Sequence, residues 1–327
     1  MYVCFIRCRF NNEPIQFIMK TINGVENFKA KRPTITTIGT FDGVHLGHQK
    51  ILSKLVEEGK KSNLETIVLT FSPHPRKVLN PKLKLYQLNT ANEKMELFKK
   101  SGIDNLIIQK FDKVFSEFSA TRFVKNIIVG KLNVKKILIG YDHRFGKNRE
   151  AGIEELTILG RKYDFEIIEI NAEEKNNISI SSTKIRNALK EGNLSTVKSY
   201  LGYDYRISGK IIKGNSIGRK IGFPTANLQL VDKEKLIPKR GVYLVYTTLE
   251  NKLIHGMMNI GIKPTLKKAK ESIEVNLFGW EKNIYGEHID VFLKKFIRDE
   301  RKFVSLEKLS EQLKSDKGTC LKLLNEK

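Results

Sequence analysis

The chain has 327 residues, 40% of them hydrophobic, which is enough for two domains with buried cores. Its 59 lysines and arginines against 36 aspartates and glutamates give a formal net charge of +23, yet the basic residues are spread over the whole length, with no long basic block or zinc-finger spacing to mark a dedicated nucleic-acid module. Apolar runs such as "KILIG" and "GVYLV" are too short to cross a bilayer, and Cys4, Cys8 and Cys320 make neither a disulfide framework nor a four-ligand metal set, so a reducing cytoplasm is expected.

The first 18 residues show no pattern and read as a dispensable peripheral extension or a mis-assigned start. From Thr34 short apolar stretches alternate with amphipathic ones: "TITTIG", "HQKILSKLVEEGKK", "ETIVLTF", "NEKMELFKKSG", "IDNLIIQ", "ATRFVKNIIVGKLN", "VKKILIG", "GIEELTILGRKY" and "DFEIIEI". Strand and helix repeated in this way predict a doubly wound parallel sheet. "SSTKIRNALKEGNLSTVKSYLG" predicts two short helices. Beyond it the pattern changes to strands separated by glycine, asparagine and proline turns, "YRISGKIIKG", "GVYLVYTTLE", "KLIHGMMNIG", "SIEVNLFG" and "HIDVFLKKFI", which predict an antiparallel barrel. "SLEKLSEQLKSDKGTCLKLL" has the spacing of a terminal helix.

The loop "GTFDGVHLGHQKIL" at 39–52 joins the first of these strands to its helix, at the sheet edge where ligands usually bind. Gly39, Gly43 and Gly47 allow close backbone approach, and the unpaired amides of a helix start favour an anion, so His45 and His48 suit a phosphate. A metal site would need a third ligand. Histidines that merely begin a helix are the third reading.

At this point the residues carry a resemblance. "GTFDGVHLGHQKIL" resembles the histidine motif of the nucleotidyltransferase superfamily, in the form found in bacterial bifunctional riboflavin kinase/FMN adenylyltransferases, also called FAD synthetases. "FSPHPRKVL" at 71–79, "GYDHRFGKNREAG" at 140–152 and "ISSTKIR" at 180–186 are similar to that family's later adenylyltransferase segments. "GNSIGRKIGFPTANL" at 214–228, "GMMNIGIKPT" and "YGEHIDVFLKKFIRDERKF" are similar to its riboflavin kinase segments. The likeness runs in order from about Thr34 to about Asp316.

The resemblance implies a nucleotidyltransferase-like domain over 19–186, a helical linker over 187–204 and a riboflavin kinase-like barrel over 205–327. It implies ATP-dependent conversion of riboflavin to FMN and of FMN to FAD, with Mg2+ accompanying ATP. His45 and His48 would be catalytic in adenylyl transfer, with Gly39, Phe41, Asp42, Gly47, Ser181, Ser182, Thr183 and Arg186 around the nucleotide. Phe71, Pro73, Pro75, Asp142 and Arg144 would border the flavin, as would Arg298 in the barrel. In the kinase half, Gly214, Gly218 and Gly222 would bend around ATP, Thr225 and Asn227 would hold the metal, and Glu274 would take the proton from the riboflavin hydroxyl. The sequence departs from the family at His143, where phenylalanine is usual, and at Asn276, Gly279 and Trp280, where histidine, aspartate and phenylalanine are frequent.

Read without the resemblance, several of these features have plainer explanations. "SSTKIR" would be a helix cap with a solvated arginine, "FSPHPR" a turn, and Glu274 a solvated strand residue. Two other functions remain open: an RNA-related enzyme of the nucleotidyltransferase fold, which would need a stem- or anticodon-binding region, and a noncatalytic flavin carrier. Riboflavin, FMN, FAD and ATP are the expected partners, with no specific nucleic acid and no membrane; no protein partner is indicated.

Overall fold

A computed structural model describes residues 19–140, 143–171, 174–175, 178–213, 218, 222–263 and 270–326. The extension over 1–18, Asp142 and Gly214 lie outside the described residues. The chain divides into two compact units. One takes in the described parts of Met1–Thr40, Ile51–Pro81 and Met95–Ile170; the other takes in Phe41–Lys50, Lys82–Lys94 and those of Asn171–Lys327.

The first unit is built on six parallel strands, β1 (Lys20–Asn23), β2 (Thr34–Ile38), β3 (Glu65–Ser72), β4 (Asn105–Lys110), β5 (Val134–Gly140) and β6 (Glu166–Ile170), in the order β1-β4-β3-β2-β5-β6. Strand order reverses between β2 and β5, which makes that pair the topological switch point of the sheet. Side chains alternate across the sheet, and both sets are buried. Ile38, Ile67, Leu69, Ile107, Ile137 and Ile139 share one core with the helical stretch around Phe123–Ile128 and with Leu156 and Leu159. Of the alternate set, Ile35, Val68, Leu106 and Leu138 are at most 1% exposed. The expected doubly wound sheet is therefore present, with β1 added at one edge as a four-residue strand paired to β4.

The chain's first two longer helices are α1 (Leu46–Lys61) and, after the single turn α2 (Pro75–Leu79), α3 (Ala91–Ser101). Two short turns, α4 (Lys113–Ser116) and α5 (Ala120–Phe123), precede α6 (Ile153–Tyr163). Past the two-residue strands β7 (Glu174–Lys175) and β8 (Ile178–Ser179), the second unit contributes α7 (Ser182–Glu191) and α8 (Leu194–Leu201), each ended by a left-handed glycine, Gly192 and Gly202.

The antiparallel barrel comprises β9 (Arg206–Ile212), β10 (Ala226–Leu230), β11 (Gly241–Leu249), β12 (Lys252–Lys263), β13 (Lys270–Leu277) and β14 (His288–Arg298), closed in the order β10-β13-β12-β11-β14-β9. Closure leaves no unpaired edge. Tyr243, Val245, Met258, Ile260, Ile273, Val275 and Val291 fill the interior and join Ile185, Leu189, Val197 and Leu201 of α7 and α8 in one core. The terminal helix, α9 (Leu306–Asn325), covers Val242, Leu244 and Met257 on the outer face with Leu313, Cys320 and Leu323.

An ion pair fixes α9 further. Arg298 donates from Nε to Asp316 Oδ1 at 2.9 Å and from Nη2 to Oδ2 at 2.7 Å, and Gln312 donates to the same carboxylate at 2.8 Å. Asp316 is 2% exposed, so removing it strands a shielded guanidinium. We expect Asp316→Ala to cost about 3–5 kcal/mol, measured as a lowered urea midpoint in the fluorescence of Trp280, the chain's single tryptophan.

Candidate active sites

The histidine loop has an unusual backbone. Phe41, Gly43 and Val44 all have positive φ, at 48°, 88° and 34°. For a buried aromatic and a buried β-branched residue this costs roughly 1–3 kcal/mol each, and such strain persists only where neighbours hold it. The neighbours here take hold of each successive carbonyl. Ser182 Oγ donates to Asp42 O at 2.8 Å, Tyr203 OH to Gly43 O at 2.5 Å, and Gln49 Nε2 to Val44 O at 2.8 Å and to Leu201 O at 2.7 Å. Gly43 is also required sterically, since a Cβ there would meet Leu88 Cδ1 at 2.7 Å.

Asp42, 3% exposed, uses its carboxylate inside the protein. Oδ1 accepts from Leu88 N–H at 2.9 Å, and Oδ2 is ion-paired with Arg186 Nη2, while Arg186 Nε donates to Tyr86 O at 3.1 Å. The expected nucleotide residues Asp42, Ser182 and Arg186 are thus brought together, but as a mutually paired set. Arg186 is not the solvated arginine of the plain reading. Ser181 does cap α7, accepting from Lys184 N–H at 3.4 Å, and Thr183 is exposed beside it.

His45 caps α1. Its carbonyl accepts from Gln49 N–H at 2.9 Å and its Nδ1 from His48 N–H at 3.4 Å, a position more often held by serine, threonine or aspartate. With Nδ1 accepting, the proton of the neutral ring sits on Nε2. Gly47 occupies the first turn between the two histidines. The rings stack at 3.7 Å with 18° between planes, and Phe41 meets His48 edge-on at 5.1 Å. His48 as a residue is half-buried, but its Nδ1 is enclosed without a hydrogen-bond partner. Burial, with help from the charges of His45 and Lys94, holds its pKa well below 6.5. Lys94 is itself pushed down by burial and drawn back up by Asp42. The loop therefore presents a stacked imidazole pair in which burial disfavours the charged form of His48, and the ring N–H groups can donate to phosphate oxygens. Among the described residues no group of three histidine, cysteine or carboxylate side chains is placed to hold a metal.

In the first unit, Gly39 extends β2 by one bond, its N–H reaching Leu69 O at 3.0 Å. Phe71 follows the buried run of β3 and is half-buried, Pro73 is exposed, and Pro75 opens α2 behind His74, whose Nδ1 accepts from Arg76 N–H. Arg144 is exposed. Phe71 and His143 are joined through Phe115, Phe123 and Phe145 in an aromatic series with centroid steps of 5.8, 6.1, 6.1 and 6.2 Å. The His143 plane lies 21° from that of Phe145, so the departure from phenylalanine keeps a flat ring there.

In the barrel, Asn227 of β10, Glu274 of β13 and Asn259 of β12 are directly paired across three neighbouring strands. Val275 and Ile273, on either side of Glu274, point into the core, so the three polar residues share the outer face. Thr225 Oγ1 donates to Glu274 Oε2 at 3.1 Å. The departure at Asn276 serves this turn, because its amide donates to Pro224 O at 2.7 Å. A Cβ on Gly218 would run into the Phe223 carbonyl and approach Thr225 Oγ1, so a side chain at 218 has no room beside the motif. Gly222 has φ +78° and is exposed, Gly279 has φ +67°, and Trp280 stays half-buried against the core. Arg298 is committed to Asp316, as above.

Two family models match in the same order as these two groups of residues: FAD synthetase over residues 27–184 and riboflavin kinase over 201–324. The bifunctional riboflavin kinase/FMN adenylyltransferase of Buchnera aphidicola subsp. Schizaphis graminum is 44% identical, over 94% of this chain and 99% of its own. The chain belongs to this family. The Escherichia coli K12 member is 37% identical over 92% of this chain and 97% of its own. A crystal structure described as a macrolide-efflux protein from Streptococcus pneumoniae has 30% identity and a TM-score of 0.85, over 92% of this chain and 98% of that one. That description belongs to the Streptococcus protein; here, no helix among the described residues is long and apolar enough to cross a membrane.

His48→Ala removes one ring of the stacked pair and is expected to lower FAD formation from FMN by about 100-fold, as for loss of a preorganised donor, while riboflavin phosphorylation in the same preparation is kept. The depressed pKa gives a second expectation. The His48 ring resonances should show no protonation step near 6.5, and acidification through that value should destabilise the fold, because the unfolded chain takes up the proton first.

Proposed function

We propose that the chain phosphorylates riboflavin to FMN at the barrel and adenylylates FMN to FAD at the histidine loop, using one ATP for each step and releasing ADP and then pyrophosphate. The observation that carries this reading is the presence of both family regions, in order, on a chain 44% identical to a bifunctional relative across nearly its full length.

Adenylyl transfer asks for no nucleophile from the protein. The FMN phosphate oxygen attacks the α-phosphorus of ATP, the bond to the β-phosphate breaks, and charge spreads over phosphate oxygens. What the protein supplies is position and compensating dipoles. The His45 and His48 rings and the first amides of α1 donate to those oxygens, and Ser181, Thr183 and the Arg186 guanidinium hold the triphosphate. Arg186 is already oriented by Asp42, so little side-chain freedom is lost when phosphate binds. Within the first unit, Phe71 and the aromatic series leading to His143 make a flat apolar series of the kind a flavin ring packs on.

Riboflavin phosphorylation does need a base, since the ribityl hydroxyl must lose its proton as it attacks the γ-phosphorus. Glu274 accepts that proton, and the Thr225 hydroxyl orients its carboxylate. The hydroxyl of Thr225 and the amide oxygen of Asn227 are hard donors on the same face, and they suit Mg2+ held jointly with ATP phosphates. When bound, the ion supplies neutralising charge at the transferring phosphoryl group.

Incubation with riboflavin, ATP and magnesium, with FMN and FAD separated over time, tests both steps at once. Glu274→Gln keeps shape and removes basicity. FMN formation is expected to fall by about 100-fold or more, with FMN added directly still converted to FAD. Phosphorylation at the parental rate would remove Glu274 from the role of base.

A further inference from the structure

Lys235, in the turn between β10 and β11, is 1% exposed. Its Nζ donates to Glu93 Oε2 at 2.5 Å and to Leu88 O at 2.7 Å, and it lies 4.2 Å from the centre of the Tyr205 ring. Glu93 is 2% exposed and has further partners, with Ser208 Oγ donating to Oε1 at 3.0 Å, Arg206 Nε 3.9 Å away, and Thr90 N–H donating to Oε2 at 3.1 Å. Alongside, Gln87 N–H donates to Glu234 O at 2.7 Å and Leu236 N–H to Gln87 O at 2.8 Å. Residues 87–88 are thereby stitched to the β10–β11 turn.

The Leu88 peptide is the joint. Its C=O accepts from Lys235 and its N–H donates to Asp42 Oδ1 at 2.9 Å. Asp42 in turn fixes Arg186, and the next residue is Gly43, against which the Leu88 side chain packs. A shielded charge of this kind is not needed for stability, because well-packed apolar groups of similar volume commonly serve as well or better. Its distinguishing contribution is geometric. A buried ammonium between a carboxylate and a carbonyl tolerates little displacement, and the strained loop at 41–44 must be held at one position for the imidazole pair to meet a phosphate.

We propose that Lys235 and Glu93 are positioning residues for adenylyl transfer, acting from the barrel side through the Leu88 peptide on Asp42, Arg186 and the histidine loop. This rests on the assignment of adenylyl transfer to that loop. Neither residue touches the reacting atoms or the flavin, so FMN binding is largely spared and the chemical step is slowed. A misplacement of the order of 1 Å is enough for a loss of up to about 100-fold.

The test compares the full chain with Lys235→Met and with Lys235→Met/Glu93→Gln, the second variant leaving no unpartnered carboxylate if the first folds poorly. In each, kcat and KM for FMN adenylylation are measured with kcat for riboflavin phosphorylation and the thermal midpoint. The expected result is a fall of about 10- to 100-fold in kcat for FAD formation, KM for FMN within about twofold and phosphorylation unchanged. Parental FAD formation in a folded variant overturns the proposal, as does a proportionate loss of both reactions. If the unmodified chain itself makes no FAD from FMN, the functional reading fails first, and that outcome is distinct from the other two.

Discussion

Asp42 lies where water does not reach, and a carboxylate in such a place has to be answered completely. It is answered from two directions: by the guanidinium of Arg186, 144 residues later, and by the Leu88 amide, 46 residues later. That one requirement ties three distant stretches of the second unit together. It also accounts for a backbone that would not persist alone, since Phe41, Gly43 and Val44 are held in left-handed geometry only while the carbonyls between them are gripped by Ser182, Tyr203 and Gln49. Charge pairing, loop strain and the stacked imidazoles are therefore parts of a single arrangement.

The barrel solves a different problem. Its interior is apolar, so polar chemistry has to be carried by the other face, and strand periodicity decides which residues reach it. Asn227, Glu274 and Asn259 share that face because they are in register across β10, β13 and β12. A slip of one residue would exchange Glu274 for Ile273 or Val275 and destroy both the core and the polar row together. Closure of the sheet protects this register, since no strand has an open side on which to shift.

Much of the fold was legible because the signals were local. The parallel strands and their helices follow apolar periodicity, and five of the six barrel strands lie between turn residues. The sixth, β10, falls on "ANLQL", which reads as part of a motif and has only two strongly apolar positions. β1 is missed for a similar reason: "KTIN" is short, largely exposed and strand-like only because β4 lies beside it. The sites were legible as motifs but not as partnerships. Nothing local in "GTFDG" says that Asp42 will pair with Arg186, nothing in "FSPHPR" links Phe71 to His143, and Lys235 reads as one more surface lysine in "VDKEKLIPKR". One trace of that last network was available, the threonine and glutamate of "TANE" at 90–93, a helix-capping pair that the structure forms, with Glu93 N–H donating to Thr90 Oγ1.

The second unit is discontinuous in sequence, and this bears on how the protein is made. Phe41–Lys50 and Lys82–Lys94 leave the ribosome long before the residues that will hold them, since Arg186, Tyr203, Arg206 and Lys235 all come later. Domains tend to fold as synthesis delivers them, the amino-terminal one first. Here the early segments have to wait. The histidines are translated well over a hundred residues ahead of Arg186, Tyr203 and Lys235, yet their surroundings cannot be completed until synthesis has passed the β10–β11 turn, so the histidine loop is made long before it can take its final form.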